Sequence, residues 1–246
     1  MTEHPAFFIV GVFVLAGLIK GVIGMGLPTI SMGLLAIVMP PAEAAAILIV
    51  PSLATNVWQM LAGPHLASLT RRLWPTMLGV IVGTLAGTGW LVGANARLAT
   101  ALLGVTLALY ALSGLRSVRL VAGPTTERWL GPTIGGVTGL ITAATGVFVI
   151  PAVPYLQAIR LEKEEFVQAL GLSFTVSTVA LALNLALDSA LPWSLGPVAL
   201  GALAAACAGM WLGQALRTRL RPETFRLSFF LGLLLLGLYL IARALA

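Results

Sequence analysis

Apolar segments of 18 residues or more follow one another along almost the whole chain, and they limit the possible folds more than any other feature. They lie at 6–39, 43–62, 73–93, 98–115, 129–156, 165–187, 191–216 and 226–245. A helix needs about 20 residues to cross the roughly 30 Å hydrocarbon layer of a bilayer. Because the chain is also 59% hydrophobic and only 9% charged, it is predicted to be an integral membrane protein in contact with the lipid bilayer.

The segments favour helices over the strands of a membrane barrel. A barrel strand alternates polar and apolar residues, and runs such as LGLLLLGLYLIARALA do not. The N-terminus lacks a basic region and a cleavage site, so it is expected to be retained. Cys207 is the only cysteine and is expected to serve in packing. The net charge of +6 is scattered over short loops, which favours a role in membrane orientation over nucleic-acid binding.

An internal repeat is indicated by matches that recur in the same order at nearly constant distance. Gly26 matches Gly146, and Gly89-x-x-x-Gly93 matches Gly209-x-x-x-Gly213, at a shift of 120 residues. At a shift of 121, Glu43 and Ser52 match Glu164 and Ser173. The stretches that begin at Arg97 and Arg226 also align. We therefore expect one membrane domain made of two repeats, 1–122 and 123–246.

Loop charge predicts how the repeats are inserted, since Lys and Arg concentrate on the cytoplasmic side. If all eight segments cross, the basic loop residues divide six against seven. If 6–39 and 129–156 each enter and return on one side, they divide eleven against two, with only Arg97 and Arg243 outside. This predicts two inverted repeats, each a re-entrant or broken hairpin of half-helices followed by three spanning helices, with both termini outside. Eight plain crossings are the alternative.

Helix breaks occur at matching places in the two long segments, at Gly24-Met25-Gly26-Leu27-Pro28 and at Ala144-Thr145-Gly146 with Pro151 following. Such breaks are typical of transporter binding sites, because a restarting helix directs free N–H groups into a central cavity. Proline is tolerated in the first turn of that helix. The alternative, that glycine only permits close helix packing, is preferred for the two Gly-x-x-x-Gly motifs.

Lys20 is the only charged residue well inside an apolar segment, four residues before the first break. A charge at that depth costs about 3 kcal/mol on insertion scales, so by default it indicates function. Its ammonium could neutralise an anionic substrate, or its flexible side chain could reach toward the interface. The second repeat has no matching base, only Leu140 at the same shift.

Polar residues recur at helical spacing after each hairpin. Ser52, Thr55, Asn56 and Gln59 share one face of their helix, and the other half supplies Ser173, Ser177, Thr178 and Asn184. They are expected to line a hydrogen-bonding cavity, although Thr178 and Asn184 are expected to join helices instead. Glu43 and Glu164 fit first-turn acids that complement a helix dipole, with proton coupling as the alternative.

Catalytic and metal sites are not indicated. The sequence has no His/Cys/Asp/Glu set at metal-ligand spacing, no Walker loop and no nucleophile elbow. The chain is therefore expected to be no enzyme and to need no cofactor. Without an ATP site, pumping would use an ion gradient, with a proton or a sodium ion as the coupling ion, or it would need a partner.

At these residues the chain resembles the sulfite exporter TauE/SafE family, through "GVIGMGLPTISMGLLAIVMPP", its counterpart "GLITAATGVFVIPAVPYLQA", and "PSLATNVWQ". The resemblance covers nearly the whole chain. It implies a bacterial inner-membrane permease for small anions such as sulfite, sulfonates or related organosulfur compounds. A passive anion channel, a carboxylate transporter and a membrane-embedded enzyme are the alternatives.

Carried onto this sequence, the resemblance implies substrate-binding residues in both halves. In the first half they are Lys20, Gly24, Gly26, Pro28, Ser52, Thr55, Asn56 and Gln59. In the second half they are Thr145, Gly146, Ser173 and Ser177. The second half departs from the glycine-rich pattern with Thr142-Ala143-Ala144-Thr145, which puts the substrate geometry there in question.

Overall fold

The computed structural model describes residues 6–92, 96–116, 123–217, 219 and 221–245, with the backbone alone at Pro124, Thr125 and Pro222. This part of the chain contains helices and no strand. The predicted all-α polytopic fold class is thereby confirmed. The described helices are α1 Ala6–Ile23, α2 Leu27–Leu35, α3 Pro41–Leu61, α4 Leu66–Ala86, α5 Ala96–Arg116, α6 Pro124–Thr145, α7 Ala152–Ala158, α8 Lys163–Leu187, α9 Gly196–Arg217 and α10 Pro222–Leu245.

Six of these helices are long and apolar enough to cross a membrane: α1, α3, α5, α8, α9 with its preceding turn, and α10. The helices α4 and α6 are of similar length but carry charged residues near their N-termini. All six tryptophans expose at least half of their surface. A surface of large exposed apolar side chains suits lipid and not water. The chain is a multi-pass membrane protein.

The two long apolar segments are broken where glycine was expected to break them, but into unequal parts. Helix α1 has 18 residues, or about 27 Å at 1.5 Å per residue, which is enough to cross the hydrocarbon layer. Helix α2 has nine residues. In the second half α6 has 22 residues and α7 has seven. The expectation of paired half-helices is therefore wrong for α1 and α6, because each break falls near the end of a full-length helix.

In two pairs of helices with the same contact pattern, glycine permits a very close approach. In the first pair, a Cβ placed on Gly17 of α1 would lie 2.2 Å from the carbonyl oxygen of Ala206 in α9, and one on Gly21 would lie 2.3 Å from that of Met210. These distances are below any van der Waals contact, so only glycine permits the approach. The contacts advance together along both helices, so α1 and α9 run in the same direction.

The second pair, α4 and α6, repeats this contact pattern. A Cβ on Gly135 would lie 2.1 Å from the carbonyl oxygen of Thr76, and one on Gly139 would lie 2.3 Å from that of Val80. The two glycines of α6 thus take the places of the two glycines of α1. The contacts again advance together, so α4 and α6 also run in the same direction.

Side-chain contacts relate the two pairs to each other. Helices α3 and α8 are antiparallel, because Ser52 bonds Thr178 while Gln59 bonds Val167. Helices α4 and α8 run in the same direction, because Asn184 bonds Thr84 while Asp188 bonds the amide of Gly89.

Helices α1 and α3 also run in the same direction, because Lys20 bonds Thr55 while the carbonyl of Gly24 accepts a bond from Gln59. It follows that α1, α3 and α9 run one way and α4, α6 and α8 the other. We call the end at which α1 finishes the upper end of the bundle.

Basic residues concentrate at that upper end. The ten described there are Arg71, Arg72, Arg116, Arg128, Arg160, Lys163, Arg217, Arg219, Arg221 and Arg226. Arg97 and Arg243 lie at the lower end, and Arg119 lies outside the described residues. Among the described residues, the bundle therefore has one strongly basic end.

The Gly-x-x-x-Gly motif at 209–213 does pack closely, as expected, since a Cβ on Gly209 would lie 2.1 Å from the carbonyl oxygen of Val14. The expected counterpart of this motif, at 89–93, does not show close packing. Gly89 follows the end of α4 with a positive φ and no neighbour within 4 Å of an added Cβ, and Gly93 lies outside the described residues. The pair equivalent by contact is Gly79 and Gly83, so the constant shift of 120 is wrong for this helix.

Candidate functional site

The first helix break is formed by two glycines with left-handed backbone, Gly24 at φ 79° and Gly26 at φ 111°. L-residues with a Cβ rarely adopt this conformation. The amide of Gly24 still donates to the carbonyl of Lys20 at 2.7 Å and ends α1. Helix α2 then starts with Pro28 in its first turn and no side chain capping its N-terminus. The break and the restart lie where the sequence predicted them.

Lys20 lies one turn before the break, and its side chain is buried with 4% of its surface exposed. Its ammonium donates to Thr55 Oγ1 at 3.0 Å and to Asn56 Oδ1. Both partners are on α3, the helix that follows the hairpin. Lys20 therefore points into the bundle and does not extend to an interface, and that alternative is wrong for the described conformation.

The ammonium has no acidic partner among the described residues, where the ion pairs are His65 with Glu165 and Arg72 with Glu127. A lysine ammonium carries three donors, and the described structure gives two of them acceptors. A buried cation is ordinarily paired or neutralised, since its desolvation is costly. Lys20 is stabilised here only by neutral oxygen atoms.

Asn56 connects Lys20 to the second half of the chain. Its amide nitrogen donates to Ser52 Oγ at 3.0 Å and lies 3.4 Å from Thr178 Oγ1. Ser52 and Thr178 are themselves 3.1 Å apart across the α3–α8 contact. Lys20, Thr55, Asn56, Ser52 and Thr178 thus form one buried hydrogen-bonded group, which we call the Lys20 cluster.

Gln59 fixes the cluster to the break. Its amide nitrogen donates to the carbonyl oxygens of Gly24 at 3.1 Å and of Val167 at 3.0 Å. The break is also held by Tyr110, whose hydroxyl lies 3.0 Å from Met25 Sδ. A carbonyl freed by a helix break needs a partner at membrane depth, and Gln59 supplies it.

Ser173 and Ser177 are buried on α8, as the cavity prediction requires, but they do not join the Lys20 cluster. The hydroxyl of Ser177 donates within its own helix to the carbonyl of Ser173 at 2.9 Å. Thr178, which was expected only to join helices, is the residue of α8 that bonds the cluster. One position along a helix turns a side chain by about 100°. Thr178 therefore points toward Ser52, whereas the neighbouring Ser177 points in another direction.

The second break is separate from the cluster. Gly146 has φ 70° and its amide donates to the carbonyl of Thr142 at 2.8 Å. Thr145 Oγ1 donates back to Ile141 at 2.7 Å and accepts from the amide of Val147 at 3.2 Å. A Cβ on Gly146 would lie 2.7 Å from the Met32 side chain. The second break therefore packs against α2 of the first half.

The glycine contacts show which residue of the second repeat is equivalent to Lys20, and it is not the expected one. Because Gly17 corresponds to Gly135, Lys20 corresponds to Thr138 and not to Leu140. Thr138 is fully buried, and its hydroxyl donates within its own helix at 2.8 Å. The two halves thus carry a charged and a neutral residue at equivalent places.

Glu43 and Glu164 lie in the first turns of α3 and α8, and among the described contacts neither bonds the Lys20 cluster. Glu43 is half-buried and Glu164 is exposed. Asn184 donates to the carbonyl of Thr84 at 3.0 Å and so joins helices, as expected.

Gln168 was missed by the sequence reading. It bonds the carbonyl oxygens of Met60 and Gly63 and the amide of His65, and it closes the turn between α3 and α4. A glutamine inside an apolar helix is the signal that could have revealed it.

The Lys20 cluster and the lipid-facing helices define a polytopic α-helical membrane protein with an occluded polar site in its core. No group of three potential metal ligands is present among the described residues. The sequence model of the family described as Sulfite exporter TauE/SafE matches residues 9–240. The chain belongs to that family, which is a family of membrane transporters. No curated protein and no solved structure gives a significant match.

Proposed function

We propose that the chain is a secondary transporter of small oxyanions, with sulfite, sulfonates or related organosulfur compounds as substrates. The observation that carries the proposal is the buried ammonium of Lys20, which has no acidic partner among the described residues. An oxyanion that binds there would supply the missing negative charge. Charge-assisted hydrogen bonds to such an anion are stronger than those to the neutral oxygens that now surround the ammonium.

The oxyanion would bind between the Lys20 cluster and the first break. Lys20, Thr55 and Asn56 face it from two helices, with Ser52 and Gln59 beside them. Gly24, Gly26 and Pro28 place the uncapped N-terminus of α2 nearby, and free N–H groups at a helix start bind anions. Among the described contacts, Thr145, Gly146, Ser173 and Ser177 do not bond the Lys20 cluster in this conformation. They would join the site from the second half as the repeats move against each other.

Transport would proceed by alternating access between two inverted repeats, 1–122 and 123–246. The opposite directions of α1 and α6, taken from the helix contacts, support this arrangement. The basic upper end would face the cytoplasm. The described chain ends, Ala6 and Leu245, would then lie on the outer side of the inner membrane. A proton or a sodium ion would drive the cycle, with Glu43 and Glu164 as the acids that proton coupling could use.

A passive anion channel is disfavoured because it needs a continuous wet path. Lys20, Ser52 and Asn56 expose at most 4% of their surface, so the polar core is closed in this conformation. In proteoliposomes a transporter gives a flux that saturates with anion concentration, whereas a channel gives a flux that stays proportional to it.

Thermal-shift measurements on the purified protein test the proposal with methanesulfonate, sulfite and acetate. A ligand at 100 times its dissociation constant stabilises by about 2.7 kcal/mol. Methanesulfonate or sulfite should raise the melting temperature of the wild-type protein, and Lys20→Met should lose the rise while it keeps a melting transition.

Gly11→Ala is the matched control, because Gly11 is exposed on the same helix with no atom within 4 Å of an added Cβ, and it should respond like wild type. An unchanged response in Lys20→Met would remove Lys20 from the site. If only acetate stabilised the protein, the substrate class would be carboxylates.

A further inference from the structure

The buried core of the described chain carries a single formal charge. Lys20 is the only charged residue among its buried polar side chains. The acids of the helices that form the cluster lie at helix ends: Glu43 in the first turn of α3, Glu164 and Glu165 in that of α8, and Asp188 just after α8. Glu43 is 13 residues from Asn56, or about 20 Å along the helix axis. Because no acid of the described residues pairs with Lys20, the Lys20 cluster has a charge of +1.

The neutral donors of the cluster are already engaged. The Thr55 hydroxyl donates to the carbonyl of Pro51 at 2.8 Å, and the Asn56 amide donates to Ser52. The Thr178 hydroxyl donates to the carbonyl of Phe174 at 2.6 Å. To serve an anion, each of these donors would have to leave a buried acceptor unpaired, which costs free energy. Within the Lys20 cluster, the third N–H of Lys20 is the donor left for a ligand.

From this charge balance we propose that the site selects monovalent oxyanions over divalent ones. The inference rests on the transport function proposed above and specifies the substrate charge: sulfonates bind as monoanions, and sulfite binds as hydrogensulfite. A monovalent sulfonate brings the occupied cluster to zero net charge. A dianion leaves one uncompensated negative charge in a buried site, where an unpaired charge is strongly unfavourable. A neutral molecule of the same shape brings no negative charge, so Lys20 would remain unpaired.

Three tetrahedral sulfur compounds of similar size test the proposal, because they differ mainly in charge: dimethyl sulfone at 0, methanesulfonate at −1 and sulfate at −2. Each competes with radiolabelled methanesulfonate for the purified full-length protein at constant ionic strength. Competition is preferred to thermal shift here, since sulfate stabilises proteins generally by its exclusion from their surface. Methanesulfonate should compete at least tenfold more strongly than either of the other two.

The outcomes separate the two proposals. If labelled methanesulfonate binds and sulfate competes as well or better, the charge selection is refuted and the anion site remains. If dimethyl sulfone competes equally, the ammonium does not contribute to recognition, and the selection is refuted as well. If labelled methanesulfonate does not bind, the sulfonate-transport function itself fails.

Variants of Lys20 provide a second measurement. Lys20→Arg keeps the charge of +1 and should keep the order of the three compounds, at reduced affinity because of its larger head group. Lys20→Met should lose labelled binding. A Lys20→Met protein that still prefers methanesulfonate to sulfate tenfold would overturn the proposal, since the preference would then arise elsewhere.

Discussion

Gly17→Ala is expected to destabilise the protein, because it adds a methyl group at the closest approach of α1 and α9. The new Cβ would lie 2.2 Å from the carbonyl oxygen of Ala206 and 2.9 Å from its carbonyl carbon. These are backbone atoms of a packed helix, so they cannot rotate away as a side chain could. The two helices must instead separate by about 1 Å to restore an ordinary contact.

The size of the effect follows from two opposing terms. Overpacking of a tight contact costs about 1–3 kcal/mol, and the better helix propensity of alanine returns up to about 1 kcal/mol. With the overpacking cost at its middle value of about 2 kcal/mol, the net loss is about 1–2 kcal/mol, or about 2–8 °C in melting temperature for a chain of this size. Lys20 lies between Gly17 and Gly21 on this helix, so separating the helices should also weaken anion binding.

The assay is thermal unfolding of the purified protein in detergent, followed by tryptophan fluorescence. Gly11→Ala makes the same chemical change on the same helix at an exposed position with no atom within 4 Å, and it should leave the melting temperature unchanged or raised. If Gly17→Ala melts at the same temperature as Gly11→Ala, the close packing of α1 on α9 does not stabilise the fold, and our interpretation of the glycine contacts is wrong.

Three further predictions concern topology and local contacts. In a Cys207→Ser background, single cysteines at Ala42 and Glu162 should react with impermeant maleimide from opposite sides of the membrane, and labelling from one side would refute the arrangement of the hairpins. Ser31→Ala should keep or raise the melting temperature, because the Ser31 hydroxyl is buried without a partner in the described structure, and a clear loss would reveal an undetected bond. Arg243→Gln should lower the melting temperature by about 2–4 °C, because Arg243 donates to the carbonyl oxygens of Ala36 and Ile37, just after α2. Loss of these bonds costs about 1 kcal/mol, and an unchanged melting temperature would show that the contact is not stabilising.

The sequence was sufficient to locate the helix break and the polar face that meets it. Two glycines before Pro28 mark the end of one helix and the start of another, because these preferences are local. The spacing of Ser52, Asn56 and Gln59 places them on one helical face, and all three are buried in the structure. The period of a helix shows which residues share a face, and it does not show what that face contacts.

The repeat could be recognised from the sequence but not aligned correctly. A constant shift paired Lys20 with Leu140 and Gly89 with Gly209. The contacts instead make Thr138 the counterpart of Lys20 and Gly79 the counterpart of Gly209. Connections of different length between equivalent helices change the shift along the chain. A single offset therefore cannot hold for every helix of the repeat.

The sequence by itself determined that this is a helical membrane protein with interrupted segments and a lysine inside one of them. These properties depend on composition and on short-range spacing, and lipid imposes the same requirements on any such chain. Only the tertiary structure decided that Thr55 and Asn56 bond Lys20, that Thr178 joins them from the other half, and that no acid of the described chain is paired with it. Those contacts join residues far apart in the sequence, so they depend on how α1, α3 and α8 pack together.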